Sequence, residues 1–200
     1  MLRMKRIGIL GGTFNPIHIA HLIIAEEVRQ QLRLDKILFI PSANPPHKST
    51  GDIIDAKIRL KLIDIAIKSS EYFKSSDIEI KNTHYSKSYT VNTLEMLNKQ
   101  YRGKGIKFFL LIGLDSFIEL DTWKEPQRLF ELADVVVLNR ESYSERKAEN
   151  EFTKKVKFIT VPNLEISSTD IRKRIKEKRT IRYLVPSGVE EYILENGLYK

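Results

Sequence analysis

The chain contains no cysteine. That excludes disulfides, thiolate metal sites, iron–sulfur clusters and cysteine nucleophiles. Long apolar runs are missing too: stretches such as Ile106 to Leu114 are broken by charge or too short to span a bilayer. The opening Met-Leu-Arg-Met-Lys-Arg runs straight into a strand-like segment, without the long apolar core and small-residue cleavage site of a secretory signal. The expectation is a cytoplasmic protein that does not engage a membrane. Repeats at solenoid spacing and low-complexity segments are lacking. What remains is ordinary globular material, with 42% hydrophobic and 30% charged residues over 200 positions, enough for one domain spanning 1–200. Lys and Arg number 34 against 26 Asp and Glu, a net of +8. Such a surplus favours anionic partners, or else reflects a solvated basic surface.

The apolar pattern alternates between two periods. Met4 to Leu10, Lys36 to Ile40, Lys107 to Ile112, Asp134 to Leu138 and Lys155 to Val161 read as strands, several of them continuously apolar. His18 to Leu34 repeats apolar residues at Leu22, Ala25, Val28 and Leu32, a helical spacing. Ile53 to Lys68 does the same through Ile54, Ile58, Leu62 and Ile65, and helices are also expected at Thr90 to Gln100 and Gln127 to Ala133. Ser42 to Asp52 reads as a loop, Pro41 to Asp52 as a candidate lid, 139–154 as a polar surface insertion, and 183–200 as a C-terminal helical end. Ser167 with Asp170, and Ser187 with Glu190, have the spacing of capping boxes, and Gly197 suits a helix stop. Alternating strands and helices with apolar strands predict an α/β fold: a Rossmann-like doubly wound parallel sheet flanked by helices. Ligands of such sheets bind beyond the carboxyl ends of strands, so functional residues are expected just after them.

The segment after the first strand reads Gly11-Gly12-Thr13-Phe14-Asn15-Pro16-Ile17-His18-Ile19-Ala20-His21. It fits neither the G-x-G-x-x-G dinucleotide fingerprint nor a P-loop. A glycine turn feeding a helix N-terminus is nevertheless a good phosphate cradle. His18 and His21 lie three residues apart, which puts both rings on one helical face. A metal pair, a structural pair and a pair of phosphate donors all fit that spacing. A metal site would need more protein ligands than the neighbourhood supplies, so no metal-binding residue is assigned. Later, Ile166-Ser167-Ser168-Thr169-Asp170-Ile171-Arg172 offers a second helix start, with hydroxyls, free N–H groups and an arginine one turn on. Ser168, Thr169 and Arg172 can reach phosphates there.

Both segments resemble signatures of the nucleotidylyltransferase superfamily, G-G-x-F-D/N-P-x-H-x-G-H and I-S-S-T-x-I-R. Asn15 stands where Asp is commoner, and Ala20 where glycine is usual. Pro45-Pro46-His47-Lys48, Ser88-Tyr89-Thr90-Val91-Asn92-Thr93-Leu94, Ile112-Gly113-Leu114-Asp115-Ser116, Thr122-Trp123 and Asn196-Gly197-Leu198-Tyr199 extend the likeness. Together these motifs resemble the bacterial nicotinate-mononucleotide adenylyltransferases over essentially the whole chain.

That resemblance implies transfer of AMP from ATP to nicotinate mononucleotide, giving nicotinate adenine dinucleotide and pyrophosphate in NAD biosynthesis, by direct in-line attack. It implies an ATP site of Gly11, Gly12, Thr13, Phe14, His18, His21, Ser167, Ser168, Thr169 and Arg172, with His18, His21 and Arg172 catalytic. It also implies a mononucleotide site of Asn15, His47, Lys48, Thr90, Asp115, Trp123 and Lys124. Trp123 would stack on the pyridine, Asp115 would accept from the ribose, and His47 and Lys48 would meet the phosphate. Main-chain donors near Thr90 and Lys124 would hold the ring carboxylate, favouring acid over amide. Mg2+ would accompany ATP, held mainly by phosphates. ATP and nicotinate mononucleotide are the partners implied, and self-association into a homo-oligomer is compatible with the sequence. An adenylyltransferase for nicotinamide mononucleotide or another phosphorylated acceptor is the nearest alternative. A nucleic-acid-binding module rests only on the basic segment from Arg172 to Arg182, which has no interleaved aromatics or recognised binding motif, so no specific nucleic acid is expected.

Overall fold

A computed structural model of the chain describes residues 3–45, 53–82, 87–140 and 150–200. Six strands form one sheet: β1 (Lys5–Gly12), β2 (Lys36–Pro41), β3 (Phe73–Ser75), β4 (Ile106–Gly113), β5 (Asp134–Arg140) and β6 (Lys157–Val161). All neighbouring pairs are parallel, in the order β3-β2-β1-β4-β5-β6. The expected doubly wound parallel sheet is therefore present, and its direction of winding reverses between β1 and β4.

Burial follows from that topology. β1, β2 and β4 are covered on both faces, so they read as continuous apolar runs. One core gathers Ala25, Val28, Leu62, Ile63, Phe109 and Val136; the other gathers Ile9, Leu38, Leu94, Leu110, Phe117 and Val137. Alternating residues along the central strands thus feed opposite layers. Close packing leaves no room for a side chain at Gly8, where a Cβ would lie 2.6 Å from Ile37 Cδ1 and 2.8 Å from Leu34 Cδ1.

The helices are α1 (Ile19–Gln31), α2 (Ala56–Ile67), α3 (Ile78–Lys81), α4 (Thr90–Gln100), α5 (Leu114–Ile118), α6 (Pro126–Leu132), α7 (Ser168–Lys176) and α8 (Ser187–Glu195). α2 starts later than its apolar period suggests, because the Asp55 carboxylate caps it by accepting from Lys57 N–H at 2.7 Å. Its buried face is Leu62, Ile63, Ala66 and Ile67, with Ile58 and Ile65 at the margin. Ser167 caps α7 as expected, accepting from Asp170 N–H at 3.0 Å, but the Asp170 carboxylate takes Arg174 Nε at 2.8 Å rather than reaching back. Ser187 is not a cap: it is the first residue of α8, and Pro186 precedes it. Gly197 ends α8 at φ +58°, its N–H reaching Leu194 O while Leu198 N–H reaches Ile193 O. Within 139–154, Phe152 is fully buried and stacks on Phe130 at 5.3 Å, while 141–149 lie outside the described residues. Among the described residues no helix is long and apolar enough to cross a membrane.

Candidate active site

The loops after β1 and β4 flank the point where winding reverses, and the first glycine-histidine motif lies directly after β1. Gly11 and Gly12 close β1. Beside Gly11 lies open space, so the backbone is approachable from the cleft, whereas a Cβ on Gly12 would come within 3.1 Å of the Phe14 ring. Phe14 adopts φ +48°, a strained value for an aromatic residue, and its ring is buried. The ring stands edge-on to His21 at 5.0 Å, so Phe14 serves the loop by backing an imidazole.

His18 caps α1, and its ring stacks on that of His21 with centroids 3.7 Å apart. His18 N–H donates to His21 Nδ1 at 3.2 Å. That bond assigns the His21 proton to Nε2, on the far side of the ring. Burial holds His18 down to about 4, and burial followed by the charge of His18 holds His21 down to about 3. Both imidazoles are neutral at pH 7. Among the described residues no cluster of three His, Cys, Asp or Glu could hold a metal. Each neutral ring carries one N–H that can donate. Ala20 is only 2% exposed, so its extra methyl is covered by protein.

The second motif docks onto the first. Ser168 Oγ donates to Pro16 O at 2.8 Å, and Arg172 Nη1 donates to Asn15 O at 2.9 Å. Ile19 N–H, at the start of α1, donates to Leu184 O at 2.9 Å. Two helix N-termini, each a source of partial positive charge, are thereby held side by side. The Ser168 hydroxyl is engaged in this joint, and Ser167 in its cap. That leaves Thr169, exposed and 3.4 Å from Arg172 Nη2, and the rest of the Arg172 fork on the open side. Asn15 is buried, with its Oδ1 accepting from Ile54 N–H at 3.3 Å, so its side chain braces the start of α2.

Across the cleft, Thr90 opens α4 and Asp115 lies exposed in the first turn of α5. Trp123 is half-buried against the core, and the neighbouring Glu125 takes φ +50°. Lys124 Nζ sits 5.3 Å above the Tyr89 ring, which brings the 123–124 segment against the amino end of α4. The structure thus gathers Thr90, Trp123 and Lys124. His47 and Lys48 lie outside the described residues, as does most of the candidate lid.

Sequence reasoning missed Arg59. It is 1% exposed, yet its guanidinium donates to Thr13 O at 2.6 Å, Ser42 O at 2.7 Å and Ile54 O at 3.0 Å. It ties the ends of β1 and β2 to the start of α2. A clue was present: Arg59 falls three and four residues before Leu62 and Ile63, on the buried face of α2.

The comparisons agree with this geometry. Residues 9–174 match the cytidylyltransferase-like family. The chain is 41% identical to "Probable nicotinate-nucleotide adenylyltransferase" of Clostridium novyi, over 98% of this chain and 100% of that one. It is 43% identical to the protein of the same name from Syntrophotalea carbinolica, over 98% and 97%. A solved structure of Plasmodium falciparum nicotinic acid mononucleotide adenylyltransferase complexed with NaAD shares the fold, with a TM-score of 0.76 at 20% identity over 98% of this chain and 97% of that one. Motif, topology and whole-length likeness converge, and the chain belongs to the nicotinate-nucleotide adenylyltransferase family, within the cytidylyltransferase-like group.

Proposed function

We propose that the chain transfers the adenylyl group of ATP to nicotinate mononucleotide, forming nicotinate adenine dinucleotide and pyrophosphate, as a cytoplasmic enzyme of NAD biosynthesis. The observation that carries the reading is the joint between the two phosphate-type helix starts, made by Ser168 on Pro16 O and Arg172 on Asn15 O. In this reading the joint forms the anion site for ATP, and α4 with Trp123 forms the site for the acceptor.

In this reading a phosphate oxygen of the mononucleotide attacks the α-phosphorus of ATP. A new P–O bond forms as the bond from the α-phosphorus to the bridging oxygen breaks, and pyrophosphate leaves with that electron pair. The nucleophile is already ionised, so no protein base is required. Catalysis is alignment plus stabilisation of charge on the phosphates. His21 donates through Nε2–H and His18 through its free ring edge. Arg172 and the amide groups of Gly11, Gly12 and Thr169 hold the triphosphate. Thr90 and Lys124 present main-chain donors to the pyridine carboxylate, Trp123 stacks on the ring, Asp115 accepts from the ribose, and His47 and Lys48 take the acceptor phosphate. The donor set at the triphosphate is imidazole, hydroxyl and guanidinium, which suits phosphate oxygens rather than a hard cation. ATP is therefore taken as its magnesium complex, Mg2+ neutralising phosphate charge when bound.

The test is a panel of phosphorylated acceptors with ATP, read by pyrophosphate release. Nicotinate mononucleotide is expected to lead and nicotinamide mononucleotide to trail. Equal or reversed rates would overturn the acid preference, and activity confined to another acceptor would overturn the substrate.

A further inference from the structure

The short helix α3 carries a side chain that reaches two elements of the site at once. Glu79 Oε2 accepts from Ala43 N–H at 3.2 Å, in the segment leaving β2. Its other oxygen, Oε1, accepts from the Thr93 hydroxyl at 2.6 Å, in the first turn of α4. Beside it, Asn44 N–H donates to Ser88 Oγ at 3.0 Å and Ser88 N–H donates to Asn44 O at 2.9 Å. Towards the phosphate loop, Ser42 N–H donates to Gly12 O at 2.9 Å, and Arg59 grips Ser42 O.

These bonds form a continuous path from Gly12, at the triphosphate loop, to the amino end of α4, where Thr90 sits. Apart from Arg59 at the triphosphate end, the links are neutral main-chain or hydroxyl contacts; at the α4 end Glu79 supplies a carboxylate, whose hydrogen bonds are about twice as strong. A pyridine mononucleotide must span this same path, with its ring at α4 and its phosphate near the triphosphate loop. The length of the span decides whether the phosphate oxygen is in line with the α-phosphorus, and misplacement by about 1 Å can cost on the order of 100-fold in rate.

We propose that Glu79 is a positioning residue that fixes the amino end of α4 against the segment leaving β2, and so sets the span over which the mononucleotide acceptor is held. This rests on the acceptor assignment above. Both carboxylate oxygens accept here, from donors on opposite sides. An amide keeps the Ala43 contact through its oxygen but must donate its NH2 to the Thr93 oxygen, turning that hydroxyl to Tyr89 O 3.3 Å away, and it loses the negative charge.

Glu79→Ala is expected to raise the KM for nicotinate mononucleotide about tenfold and to lower kcat about tenfold, with the KM for ATP within about twofold, as one charge-assisted hydrogen bond is lost and the span loosens by well under about 1 Å. Glu79→Gln is expected to fall between Ala and wild type. If Glu79→Ala does not fold, Glu79→Gln carries the test alone. Variants that melt like wild type and leave the mononucleotide KM unchanged, or raise both KM values together, overturn the role. A wild-type chain inert towards nicotinate mononucleotide in the same assay overturns the acceptor assignment instead.

Discussion

Two neutral imidazoles stacked 3.7 Å apart behave as a single acid-sensitive unit. Their folded-state values, about 4 for His18 and about 3 for His21, lie below the roughly 6.5 of an unfolded histidine. As pH falls below about 6.5 the unfolded chain binds protons that the folded chain refuses, so stability drops until the folded values are reached. The penalty is absent at neutral pH and builds between about pH 6.5 and 4 for His18 and down to about 3 for His21. Urea unfolding at pH 7.0, 5.5 and 4.5 should show this decline, and His21→Gln should make it shallower. In the proposed mechanism the unit acts as a donor: His18→Ala should lower turnover about 100- to 1,000-fold, the loss typical of one oxyanion donor, while moving the ATP KM far less. Trp123→Ala should raise the KM for the mononucleotide alone; an ATP-side defect would refute stacking. At this scale the two histidines were legible because spacing alone puts them on one helix face. Arg59 was not, since its three acceptors are main-chain carbonyls distant in sequence, and no residue pattern announces a carbonyl cluster. In the basic segment after the second motif, Arg174 meets Asp170 at 2.8 Å and Arg179 meets Glu177 at 2.9 Å, so part of its charge is paired locally.

Among the elements, legibility followed length and pattern. β1, β2 and β4 were readable because burial on both faces leaves little polar interruption. β3 has three residues and α3 four, too few to show a period, yet α3 is the helix that places Glu79. α5 was hidden because it begins directly where β4 ends, with no break in apolar character at Leu114. Ser187 misled because a serine three residues before a glutamate fits both a cap and a first turn. Two substitutions probe the elements. Gly8→Ala sets a methyl 2.6 Å from Ile37 Cδ1 in the sheet, and should destabilise by about 1–3 kcal/mol through overpacking, read from the shift in urea midpoint. Arg59→Met keeps the bulk in α2 but strands three carbonyls; it should cost about 2–4 kcal/mol.

For the whole molecule, the alternation of strand and helix was enough to foresee a parallel doubly wound sheet, because parallel strands need crossovers and crossovers cover both faces. Strand order and the side-by-side seating of the two motifs were not foreseeable from pattern, since pairing across the sheet leaves no periodic trace. That seating has a consequence for how the protein comes into being. The Ser168–Pro16 bond joins residues 152 apart in the chain, and Arg172 and Asn15 are 157 apart. Strand β6 ends at Val161, so all six strands are encoded before the residues that complete the joint between the two helix starts. The carbonyl that takes the first N–H of α1 arrives later still, at Leu184. A chain interrupted after its sheet would lack Ser168, Arg172 and Leu184 together, and with them the bonds that fasten the first motif to this later part of the chain.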